Sequence, residues 1–242
     1  MRVKQDRVLA SAYSHRKGII AAISTDDMSN GIGVKTVVYV SGCLFNCYNC
    51  FNRVVQNFNY GLQDLGTKGI KGPNYYSKEV EDYIIDTLRP DYVSGLTLLG
   101  GEPFMNGNVC IPLCKRVRKE FGDTKTIWSW TGYEWEELLE ASKLDFPVAR
   151  EQRELLSLID TLVDGRYIDS VRKLDIKRNH GRSPHFRGSS NQRIIDVKKS
   201  LCYNDVVEDK ELYGDEIVAN RVVDFKELTG KESPEELEGL GV

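Results

Sequence analysis

Three cysteines fall within eight residues, Cys43-Leu-Phe-Asn-Cys47-Tyr-Asn-Cys50, in a C-x3-C-x2-C spacing. Thiolates this close can wrap one metal centre from a single loop. Two centres compete for such a triplet. Structural zinc wants a fourth protein ligand. A cubane iron–sulfur cluster wants a ligand on each of its four irons, so three cysteines leave one iron open to an exogenous ligand. The spacing does not choose between them. The other cysteines are Cys110, Cys114 and Cys202. Any of them could supply a fourth thiolate, but Cys110 and Cys114 stand i, i+4 on an expected helix and read as small apolar residues of its buried face. The second chemical segment is Gly100-Gly101-Glu102-Pro103. Its glycines permit close approach of a ligand to the backbone. Its carboxylate can accept hydrogen bonds from a ligand ammonium group, or can act only as a charge at a helix N-terminus. Alone, a Gly-Gly pair usually marks a turn.

These residues need elements to position them. Thr36–Val40 is a β-branched and aromatic run that reads as a buried strand leading into Cys43. Ser77 is placed to cap a helix through Leu88. Gly95–Leu99 reads as a second strand ending at Gly100, followed by a helix from about Val109 to Phe121. Thr126–Trp130 is a third strand, and Thr131-Gly-Tyr-Glu134 is a candidate capping box for a helix holding Trp135, Leu138 and Leu139. Leu162 and Val163 end a fourth strand, and Arg193–Val197 reads as a fifth. Alternating strands and helices indicate an α/β fold with a mostly parallel sheet. Five or six strands favour an open, partial barrel over a closed eight-stranded one. Ligands of such sheets bind beyond the carboxyl ends of the strands, where Cys43, Gly100–Pro103 and Trp130–Gly132 are expected to converge. Trp128 and Trp130 alternate onto one face and read chiefly as packing. Residues 61–76 and 174–186 read as loops.

The chain has 242 residues and a net charge of −3, so no overall basic field advertises nucleic acid. It contains no run of 18 apolar residues, hence no expected membrane span. The polar Met1–Ala10 lacks the apolar stretch of a signal peptide. The expected location is cytoplasmic, where cysteines serve metal or redox chemistry more often than disulfides. Charge is uneven: residues 205–242 carry 12 acids and 4 bases. The expected organisation is therefore a domain over 1–204 and an acidic C-terminal extension over 205–242.

The cysteine triplet joined to GGEP in a βα chain resembles the radical S-adenosylmethionine superfamily. More narrowly, the chain resembles the activating proteins of anaerobic ribonucleoside-triphosphate reductase, which are glycyl-radical-enzyme activases. That resemblance rests on Val40-Ser-Gly-Cys43 with Cys50-Phe-Asn52, on Gly95–Pro103, and on Arg187-Gly-Ser-Ser-Asn-Gln-Arg-Ile-Ile-Asp196; Thr131–Glu134 and Val163-Asp-Gly165 also fit. It runs from about Asn30 to Val197. It implies a partial (β/α) barrel and a 4Fe–4S cluster on Cys43, Cys47 and Cys50, with S-adenosyl-L-methionine on the fourth iron. Asn49, Cys50 and Phe51 would flank the cofactor, Gly100, Gly101 and Glu102 would orient its methionine end, and Ser129 and Thr131 would reach its ribose. No catalytic side chain is implied beyond cluster and cofactor. The implied reaction is reductive cleavage to methionine and a 5′-deoxyadenosyl radical, which takes hydrogen from a backbone glycine of the reductase. A reductant protein such as flavodoxin would supply the electron. Many members of the superfamily have an aromatic residue before the third cysteine, where this chain has Asn49; the narrower family commonly has a small residue there. Alternative readings are a pyruvate formate-lyase activase-like or small-molecule enzyme of the same superfamily, and a non-catalytic zinc or electron-transfer protein.

Overall fold

The computed structural model describes residues 17–60, 75–143 and 147–213. Within them, β1 (Ile20–Asp27), β2 (Val34–Val40), β3 (Val93–Gly100), β4 (Thr126–Trp130), β5 (Thr161–Asp164) and β6 (Arg193–Asp196) form one six-stranded sheet in chain order. The helices are α1 (Lys78–Leu88), α2 (Gly107–Phe121), α3 (Trp135–Ser142), α4 (Pro147–Leu158), α5 (Asp169–Arg178) and α6 (Val197–Tyr203). None is long and apolar enough to cross a membrane.

The expectation of a mostly parallel sheet is corrected to a mixed one. The pairings β2–β3, β3–β4 and β4–β5 are parallel, but β1–β2 and β5–β6 at the two edges are antiparallel. A short hairpin turn joins β1 to β2, and such a turn can only deliver an antiparallel neighbour. β1 itself escapes a reading from sequence. Its IAAISTDD lies at an edge, with burial that does not alternate and little β-branched or aromatic content. Two further corrections concern helices. Residues 174–178, read as loop, are the last turns of α5, a helix so charged that it carries almost no apolar stripe. The helix α4 was not expected at all. The loop expected over 61–76 lies outside the described residues except for Tyr75 and Tyr76.

The sheet separates two cores. On one face Val38, Val40, Leu96, Leu98, Ile127, Leu162 and Ile195 are buried against α1, α2 and α4. Ser77 caps α1 as expected, its hydroxyl accepting from Val80 N–H at 3.4 Å. The other face carries a smaller cluster of Trp128, Val163, Ile194 and Tyr213, with Trp130 and Phe186 packed beside it. Tyr213 belongs to the first residues of the acidic segment. Glu208 bridges to Ile195, and the Asp209 N–H donates to the Ile194 carbonyl at 2.8 Å. Residues 205–213 thus continue along the β6 edge.

Candidate functional site

The strand ends do converge. A cavity of about 380 Å³ opens beyond the carboxyl ends of β2–β5, and its lining includes Cys43, Cys47, Cys50, Phe51, Gly100, Gly101, Glu102 and Thr131. The cysteine loop owes its shape to its asparagines. Asn46 and Asn49 both lie in the left-handed region, at φ 50° and 51°, a conformation asparagine adopts more readily than other residues with a side chain. Each precedes a cysteine. Backbone hydrogen bonds fasten the loop, with Gly42 N–H to Val55 O at 2.7 Å and Cys43 N–H to Gln56 O at 3.0 Å.

The loop is locked to the GGEP segment. Gly101 N–H donates to Val40 O, and Glu102 N–H donates to Gly42 O at 2.8 Å. The side-chain amide of Asn106 donates to both the Gly42 and Glu102 carbonyls. A Cβ on Gly101 would stand 2.4 Å from the Gly42 carbonyl oxygen, so only glycine allows this approach. Sequence reasoning missed Asn106; its signal was an asparagine three residues beyond the GGEP proline.

Glu102 is buried, and its carboxylate is engaged within the chain. One oxygen accepts from Phe104 N–H at 3.0 Å and Thr131 Oγ1 at 2.8 Å, the other from Gly132 N–H at 2.8 Å. Burial pushes its pKa up to about 7 against the opposing pull of these donors. Thr131 therefore serves Glu102 rather than capping α3. The capping box of that helix is formed by Glu134 and Glu137.

The remaining site candidates divide. Phe51 lies over Tyr167, at 5.0 Å between ring centroids, with the Arg172 guanidinium 4.3 Å from its ring. Asn49 lies just outside the lining, near the Asp169 carboxylate. Ser129 is fully buried and does not line the cavity. The alternation that turns Trp130 toward the cavity turns Ser129 to the helix side.

Arg187-Gly-Ser-Ser-Asn-Gln192 forms a clip along the cavity wall. Gln192 Oε1 accepts from Gly188 N–H, its amide donates to Gly165 O, and Asn191 donates to Arg166 O. Arg187 donates to Ser190 O and Gln192 O, and its guanidinium lies 4.1 Å from the Tyr213 ring.

The donor set fits a cluster ligated by three thiolates. Cys43, Cys47 and Cys50 all face the cavity, and no fourth cysteine or histidine is among the described residues lining it. Cys110 and Cys114 are buried in α2, and Cys202 is exposed on α6. No three His, Cys, Asp or Glu side chains among the described residues converge on a site for a single ion. Burial and the nearby Glu102 carboxylate push the Cys43 thiol upward.

Residues 29–195 match the family described as "4Fe-4S single cluster domain". The chain is 32% identical over 172 residues to the anaerobic ribonucleoside-triphosphate reductase-activating protein of Haemophilus influenzae, spanning 69% of this chain and 91% of that protein. The protein of the same name from Vibrio cholerae is 33% identical, with 69% and 91% covered. The one from Escherichia coli is 31% identical, with 69% and 92% covered.

Proposed function

Since the chain belongs to the family of anaerobic ribonucleoside-triphosphate reductase-activating proteins, we propose that it installs the glycyl radical of such a reductase. It would do so by reductive cleavage of S-adenosyl-L-methionine at a 4Fe–4S cluster. The observation that supports this reading is the cavity lined by three cysteines with no fourth cysteine or histidine among the described residues that line it. A closed zinc site needs that fourth ligand; a cluster that binds a cofactor needs its absence.

A bound cluster would supply the electron for reductive cleavage of the cofactor, the chemistry needed for hydrogen abstraction from a glycine of the partner. The chain's own residues bind, orient and enclose. Cys43, Cys47 and Cys50 would hold three irons. Gly100, Gly101 and Glu102 present the segment beside which the methionine end lies. Thr131 and Gly132 fix the Glu102 carboxylate, and with it the relation between β3 and β4. Cys50, Phe51 and neighbouring Asn49 border the nucleoside end. Tyr39, Leu99, Trp130 and Phe186 give the cavity apolar walls that exclude water. The reaction is an oxidoreductase step in the cytoplasm, and its electron comes from a reductant protein such as flavodoxin.

The test is an anaerobic EPR spectrum of the iron-reconstituted, dithionite-reduced protein, with and without S-adenosyl-L-methionine. The expected result is a cluster signal that shifts when the cofactor is added, with 5′-deoxyadenosine formed. A signal indifferent to the cofactor would point to an electron-transfer protein. Bound zinc without a cluster would point to a structural site. Either result would overturn the proposal.

A further inference from the structure

Abstraction from a glycine sets a recognition problem. Glycine has no side chain to read, so polar contacts to the residue itself can be made only to its main-chain N–H and C=O groups. A carboxamide suits that task because it both donates and accepts. Most polar side chains of the cavity are already engaged. Glu102 and Thr131 serve each other, Tyr167 donates to Asp169, and Asn30 donates to Asp27. Arg187 and Gln192 hold the clip.

Asn52 and Gln56 are different. Both line the cavity, and among the described residues neither carboxamide has a hydrogen-bond partner. Asn52 even stands at the N-cap of the 3-10 turn Arg53–Gln56 without capping it, although capping is what asparagine ordinarily does there. The two residues lie four apart on one short turn. That turn is pinned to the cysteine loop, because Val55 O and Gln56 O accept from Gly42 and Cys43 N–H. Phe51 and Val54, 59% and 63% exposed, flank the pair with apolar surface of the kind protein interfaces bury.

We propose that Asn52 and Gln56 form a main-chain recognition pair that holds an extended, glycine-containing segment of the partner protein in the cavity. The inference rests on the proposed function and names how that partner is read. Pinning the pair to Cys43 gives the bound glycine a fixed position relative to the cluster ligands.

The test uses Asn52→Ala, Gln56→Met (which keeps the side-chain volume) and the double variant, each checked for bound iron. Affinity for the anaerobic reductase is measured with the cluster-free chain. Glycyl-radical yield per S-adenosyl-L-methionine cleaved is measured with the loaded protein. The double variant is expected to lose at least tenfold in both, and its reductase affinity is expected to fall at least tenfold more than its cofactor affinity. Reductase affinity and radical yield within twofold of the parent would overturn the proposal. So would a loss of cofactor affinity as large as the loss of reductase affinity, which would make the pair cofactor ligands. A parent protein that binds the reductase but cleaves no cofactor would sink the proposed reaction alone, and the binding comparison would still decide the pair.

Discussion

At the scale of single residues, the Glu102 carboxylate is where the two motifs meet. It is buried, three donors from two segments converge on it, and burial still holds its pKa up near 7. Thr131→Val keeps the shape and removes one donor. A buried carboxylate left one partner short is expected to cost about 1–3 kcal/mol, read as a lower urea midpoint with unchanged slope. Thr131→Ser, which keeps the hydroxyl, should recover most of the loss. A urea midpoint for Thr131→Val equal to the parent's would show that the hydroxyl's bond to Glu102 contributes nothing to the fold. The cysteines were legible in the sequence because their chemistry is carried by residue type and spacing alone. For Thr131 only the capping-box reading is corrected. Its T-x-x-E spacing mimics a capping box, and only the fold brings the carboxylate of Glu102, 29 residues earlier, within reach. Asn52 was legible only as part of the Cys50-Phe-Asn52 motif and Gln56 not at all, since an unengaged amide is defined by what every neighbouring group is doing.

At the scale of elements, β2 carries two opposite faces. Val38 and Val40 feed the helix-side core, while Lys35 points to the other side, fully buried, with its ammonium 2.5 Å from Thr126 Oγ1 and 5.9 Å from the Trp128 ring. The hairpin turn between β1 and β2 covers it, a Cβ on Gly31 falling 3.3 Å from the lysine chain. Burial pulls the Lys35 pKa down to about 8. Between that value and the unfolded value of about 10.4 the unfolded chain holds more protons than the folded one, so this residue's contribution to stability rises with pH. Below about pH 8 both states are charged and the burial penalty is constant. Lys35→Met should therefore gain stability relative to the parent most below pH 8, and the difference should shrink by on the order of 3 kcal/mol toward pH 10.5. A difference flat with pH, from parallel denaturation curves, would show that the amine is not desolvated. The central strands β2–β5 were legible because buried parallel strands are continuous apolar runs. β1 and α5 were not, because an edge strand and a charged helix draw their stability from contacts the local pattern does not record.

At the scale of the whole molecule, the family match ends at residue 195, yet the cavity wall is backed by residues beyond it. Tyr213 is fully buried on the open face of the sheet. Its hydroxyl accepts from Ile194 N–H at 2.9 Å and donates to Glu208 at 2.6 Å, and its ring lies against Arg187, which lines the cavity. The composition of residues 205–242 reads as a solvated acidic appendage. A tyrosine set among so many charges gives no sign that it closes a core. Two truncations separate these roles. Ending the chain after Tyr213 keeps every contact just described. Ending it after Asn204 removes the ring, uncovers Ile194 and Trp128, and leaves the Arg187 guanidinium without its aromatic neighbour. The shorter chain is expected to lose about 3–5 kcal/mol, as for deletion of a buried aromatic side chain, and to bind S-adenosyl-L-methionine more weakly, because the wall carrying Arg187 and Phe186 is no longer held. Equal thermal midpoints and cofactor affinities for the two truncations would mean that the sheet and the RGSSNQ clip hold that wall unaided.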